Sequence, residues 1–136
     1  MPSPSPTRLT WFVVLTLTAA GCSTYRDDLG RAHRHYEEHR YLQALAVLRV
    51  LGDDVGALTA GERVRFAYLR GMTGYRLSEQ VSGPDLPARP ALRSCARLYL
   101  TRATTSPDTR AELNAEEITR AKASREALSD AEPGCP

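Results

Sequence analysis

"YEEHRYLQALAVLRVL", residues 36–51, decides how this chain folds. It holds the end of one apolar helical face and the whole of a second. Leu29, Ala32 and Tyr36 recur at steps of three and four, which places them on one side of an α-helix. Ala44, Leu45, Leu48 and Leu51 form the next stripe. The polar run Glu37-Glu38-His39-Arg40 between them breaks the period. The spacing predicts a helix over about Tyr25–Glu38, a turn near His39, and a second helix over about Tyr41–Leu51. Gly52-Asp53-Asp54 stops that helix, because glycine favours a C-terminal cap and aspartate favours turns.

Working outward, no stretch alternates as a half-buried strand would. Thr59-Ala60-Gly61-Glu62 has the form of a capping box ahead of an apolar run. It predicts a third helix to about Ser78, with Val64, Tyr68, Met72 and Tyr75 inward. Glu79 to Pro90 contains Gly83-Pro84, Pro87 and Pro90 and reads as a loop. A fourth helix follows over about Ala91–Thr104, with Leu92, Cys95, Ala96, Tyr99, Leu100 and Ala103 on its apolar side. Ser106-Pro107 marks a fresh start, and a fifth, more polar helix runs to about Ser129 with Leu113, Ile118, Ala121 and Leu128 inward. The tail from about Ala131 reads as irregular. The fold expected is all-α, with about five antiparallel helices.

Composition narrows the function classes. The chain has 136 residues, 42% of them hydrophobic and 25% charged, which suits one globular domain. A net charge of +2 gives no argument for nucleic acid. No nucleophile elbow, glycine-rich phosphate loop or Cys-x-x-Cys pair is present, so no cofactor is implied.

Residues 1–21 stand apart from the fold. Arg8 precedes an uncharged stretch, Leu9–Ala20, of 12 residues, and Ala19-Ala20-Gly21 supplies small residues before a cut. That is the layout of a secretory signal, too short to remain as a membrane-spanning helix. With Cys22 directly following, Ala19-Ala20-Gly21-Cys22 resembles the lipobox of bacterial lipoproteins, although that family usually has leucine where Ala19 stands. The resemblance implies cleavage before Cys22, lipid on its thiol and acylation of the new terminus, leaving residues 22–136 as the mature domain. Ser23 resembles the sorting residue of lipoproteins sent to the outer membrane, facing the periplasm. If Cys22 carries lipid, Cys95 and Cys135 remain as an even pair in an oxidising compartment. They form either a disulfide tying the tail to the fourth helix or two separate thiols.

The opening stretch also carries a resemblance to the tetratricopeptide repeat. That family places a small residue, a tyrosine four residues on, a turn, an aromatic and then alanine, matched here by Ala32, Tyr36, the turn at His39, Tyr41 and Ala44. Leu48 and Leu51 take the later packing positions. Leu51 departs from the family's alanine, and His39 departs from its frequent turn glycine. A looser copy follows in Gly71 and Tyr75, then Ala96, Leu100 and Ala103, with Pro107 near the family's closing proline. The copies lie 39 and 52 residues apart, against a family period of about 34, the excess falling in loops. A generic helical bundle would use the same alternation of small and large residues. The resemblance implies helical hairpins, a polar capping helix at the C-terminal end, and a groove for a protein partner, with Tyr68, Arg70 and Tyr75 as contacts.

Two further patterns carry chemistry. "HYEEH", His35–His39, has the H-x-x-E-H form that some zinc peptidases place on a helix. His35 and His39 would be the ligands and Glu38 the base of a metal-dependent hydrolase. Against it, no downstream segment offers a third ligand, His33 points elsewhere on a helix, and the repeat register puts His39 at a turn. Arg63, Arg70, Arg93, Arg97 and Arg102 lie on the third and fourth helices. They are either solvated faces or a clamp for an acidic peptide, glycan or lipid headgroup. The sequence is thus read as a non-enzymatic, metal-free envelope lipoprotein acting as an adaptor or scaffold, with a purely structural envelope subunit as the alternative.

Overall fold

The computed structural model describes residues 25–82 and 88–135. The signal segment, Cys22, Gly83-Pro84 and Pro87 lie outside the described residues. Those described form an all-α fold with no strand among them. In chain order the helices are α1 (Tyr25–Glu37), α2 (Tyr41–Asp53), α3 (Ala60–Gln80), α4 (Arg89–Thr105), α5 (Thr109–Glu112) and α6 (Ala115–Ala127), with one 3-10 turn at Val55–Ala57. None is long and apolar enough to cross a membrane.

Each helix begins and ends for local reasons. The capping box read at the start of α3 is formed. Thr59 Oγ1 accepts the Glu62 backbone N–H at 3.2 Å, and the Glu62 carboxylate accepts the Thr59 N–H at 2.9 Å. The turn after α1 is closed by the Arg40 N–H donating to the His35 carbonyl at 2.8 Å. It places His39 at φ 60°, the left-handed region that favours glycine.

One element differs from expectation. The single fifth helix is two, α5 and α6, broken at Leu113-Asn114. Asn114 Oδ1 accepts the Glu117 N–H at 2.8 Å, and the Glu117 carboxylate accepts the Asn114 N–H at 2.9 Å. This second capping box satisfies donors that a new helix start leaves open, so a break costs little there. Ser106 correspondingly closes α4 rather than opening a long helix. Pro90, read as loop, sits in the first turn of α4, where its missing N–H has no helical partner to lose.

The core is built from the expected stripes. Leu29, Ala32 and Tyr36 meet Ala44, Leu45, Leu48 and Leu51, and all are buried. Phe66, Leu69, Met72, Leu77, Ala96, Leu100, Ala103, Leu113, Ala121 and Leu128 continue it. Neighbouring helices pack in sequence, α1 on α2, α2 on α3, α3 on α4, and α6 closes against α3 and α4. The tightest seam is α3 on α4. A Cβ at Gly71 would lie 2.7 Å from Leu100 Cγ, and one at Gly74 would lie 3.4 Å from Ala96 Cβ. The contacts thus retreat along α4 as they advance along α3.

Candidate functional site

The histidine stretch comes first because it poses the enzyme question. α1 ends at Glu37, so His35 and His39 do not share a continuous helix. Tyr36 between them packs inward, its ring 5.6 Å from that of Tyr41. The His39 ring lies 5.8 Å from Tyr41, and Glu38 pairs with Arg40 outside. His33 faces Glu37 at 3.3 Å, one turn along α1. Among the described residues, no group of three or more His, Cys, Asp or Glu side chains gathers as a metal site would require.

The expected contact trio does not assemble. Tyr68 is 1% exposed and offers a partner no surface; it is part of the core, with Tyr36 of α1 and Glu117 and Arg120 of α6 close enough to act on its phenol. Burial pushes its phenol pKa up, and Tyr36 adds to the effect. Arg70 turns the other way, its guanidinium carbon 5.8 Å from the centre of the Tyr99 ring. Tyr75 lies half-buried under Arg76, at 5.7 Å. The trio fails because residues 68 and 70 are two apart on one helix and so face different sides.

A cleft of about 500 Å³ opens among α1, α3 and the start of α6. Arg26, His33, Glu62, Arg65 and Glu117 line it. Its charges are largely matched already: Arg65 donates to the Glu117 carboxylate and to the Glu112 carbonyl.

The arginines of α3 and α4 divide into two groups. Arg93 and Arg97 are occupied with the tail. Arg93 donates to the Asp130 carboxylate and to the Ala127 carbonyl at 3.2 Å. Arg97 donates to the carbonyls of Ser129, at 2.8 Å, and Ala131. A disulfide joins Cys95 to Cys135, with Cα atoms 4.4 Å apart, and the Gly134 N–H donates to the Ser94 carbonyl at 3.2 Å. The tail is irregular, yet laid along α4. Arg63 is spent locally on the Leu58 carbonyl at 2.6 Å.

Arg70 and Arg102 belong to a different arrangement. Arg102 lies 5.4 Å from the centre of the Tyr99 ring that Arg70 also approaches, and Phe66 meets that ring edge-on at 5.7 Å. Arg49 of α2 and Arg70 line a second cleft of about 220 Å³, with Gly74, Leu92, Cys95 and Ala96. Burial lowers the Arg70 pKa and the Arg49 charge adds to this, with Tyr99 acting the other way. Sequence reasoning does not single out Arg49, and it reads Tyr99 only as core. The available signal is Tyr99 followed three residues later by Arg102, which shares its helix face. A scan against protein-family models found no match, and neither did searches of the curated proteins or the solved structures.

Proposed function

We propose that this chain is a lipid-anchored adaptor of the bacterial cell envelope, held at the outer membrane through Cys22 and facing the periplasm. The observation that carries the reading is the burial of the repeat positions. Ala32, Ala44, Gly71, Ala96, Leu100 and Ala103 sit where helices approach closely, while Glu37, Glu38 and His39 stay outside. That burial is compatible with tetratricopeptide-like antiparallel hairpins, α1 with α2 and α3 with α4, and α6 as the polar cap, and a generic helical bundle would bury the same positions. Such a framework does its work through a surface rather than a catalytic centre. The lipid would fix the domain at the membrane, since several acyl chains contribute about 0.8 kcal/mol per buried methylene.

The anchor is tested by fractionating cells that carry Cys22→Ala. Wild-type protein sediments with membranes, and the variant is released to the soluble fraction. A variant that stays with the membrane sinks the lipidation claim. The adaptor role is tested by cross-linking intact cells: a heteromeric adduct is expected, and a chain recovered only as monomer or homo-oligomer refutes it.

A further inference from the structure

We propose that the groove between α2 and α4, with Arg49 and Arg70 in its cleft and Arg102 beside Tyr99, binds an extended acidic segment of a protein partner. The proposal names the partner's chemistry within the adaptor reading and rests on that reading.

Three observations carry it. First, these guanidiniums lack carboxylates. Arg31, Arg40, Arg65, Arg76, Arg93 and Arg120 each form an ion pair among the described residues; Arg49, Arg70 and Arg102 do not, as Arg34 and Arg110 do not. The three are set apart by the cleft that Arg49 and Arg70 share and the Tyr99 ring that Arg70 and Arg102 share. Asp53, one turn beyond Arg49, makes no ion pair among the described residues either. Second, Tyr99 has two cations against it, Arg70 at 5.8 Å and Arg102 at 5.4 Å. Arg70 also hydrogen-bonds the Tyr99 side chain, and the remaining N–H donors of the two guanidiniums match a carboxylate fork. Third, the site is a cleft: Arg49 of α2, Arg70 and Gly74 of α3, and Leu92, Cys95 and Ala96 of α4 line a space of about 220 Å³.

That shape selects the occupant. Arg49 and Arg102 are exposed, and a flat array of lipid headgroups reaches both. Arg70 is half-buried and lines the cleft, and a narrow chain that enters the cleft reaches it. An extended peptide places successive side chains on alternate sides, so acidic residues two apart point the same way into the groove. Each charge-assisted guanidinium–carboxylate pair formed with the peptide makes binding roughly tenfold tighter.

The test is a fluorescence-anisotropy titration of the purified full-length chain in detergent. The probe is a fluorescein-labelled peptide alternating Glu and Ser, set against its counterpart with Gln for Glu. The expected result is saturable binding of the Glu peptide, weakened by salt, and none of the Gln peptide. This comparison needs no variant. Arg49→Gln with Arg102→Gln, both exposed positions, loses at least about tenfold in affinity. Arg34→Gln with Arg110→Gln removes the same charge elsewhere and leaves binding unchanged. The proposal is overturned if the two peptides bind alike, if both double variants lose equally, or if phosphatidylglycerol vesicles bind while the Glu peptide does not. Because the titration uses purified protein, it reads out whether or not anchoring or cross-linking in cells succeeds.

Discussion

Arg65 of α3 and Glu117 of α6 are joined by an ion pair, and the same glutamate caps the helix it belongs to. One carboxylate oxygen accepts from the guanidinium and the other accepts the Asn114 N–H at 2.9 Å. The side chains are 24% and 10% exposed, so neither charge is fully solvated if its partner goes. This one residue therefore starts α6 and fastens it to α3.

Glu117→Ala should cost about 2–3 kcal/mol, because it leaves Arg65 half-buried and unpaired as well as uncapping α6. Asn114→Ala removes only the cap and should cost about 1 kcal/mol. Urea unfolding followed by circular dichroism measures both. Equal losses in the two variants would show that the link to α3 contributes nothing.

Gly71 and Gly74 of α3, both facing α4, should respond oppositely to alanine. At Gly71 a methyl would lie 2.9 Å from the Leu100 backbone nitrogen, so helix α4 must shift. The expected loss is about 1–2 kcal/mol, overpacking outweighing the better helix propensity. At Gly74 the nearest atoms stand at 3.4 Å and 3.5 Å, ordinary contact distances. Gly74→Ala should be neutral or more stable by up to about 1 kcal/mol. Chemical denaturation of both variants checks the sign, and a stable Gly71→Ala protein would contradict the packing described.

His39→Gly should raise stability by about 0.5–1 kcal/mol, since φ 60° strains any residue with a Cβ. His39→Val should lower it by about 1 kcal/mol or more, β-branching being least tolerated there. Thermal unfolding distinguishes the two. If both variants melt with the wild type, the turn is not held in the left-handed region.

Reduction should loosen the tail before it loosens the helices. The Cys95–Cys135 bridge spans 40 residues, and opening such a loop costs up to about 4 kcal/mol in the chain-entropy model. Arg93 and Arg97 still hold residues 127–131 when the bridge is open. Limited proteolysis should therefore release the tail slowly from Cys135→Ser and quickly from Cys135→Ser with Arg97→Gln. Equal rates would mean that the arginine contacts do not hold it.

Much of the fold is legible in the sequence because it depends on local periodicity. Leu29, Ala32 and Tyr36, and then Ala44 to Leu51, announce two helical faces and the turn between them. Thr59 and Glu62 announce a helix start by their spacing. The break at Asn114 carries the same signal, Asn with Glu three residues on, but the sparse apolar positions Leu113, Ile118, Ala121 and Leu128 read on across it as one helix. The surface is far less legible. Which arginines remain unpaired is a tertiary property: Arg93 and Arg97 are taken up by a tail more than thirty residues away in sequence. Tyr68 misleads for a related reason, since an aromatic on an inward stripe serves packing as readily as recognition.

The adaptor claim is tested most directly by photo-cross-linking in living cells, with a photoreactive residue at Val50. That side chain is 71% exposed and directly follows Arg49, which lines the groove. The account predicts one discrete adduct with a second protein, absent when the photoreactive residue is placed at Lys122 on α6. No adduct at Val50, or the same adducts from both positions, would contradict it.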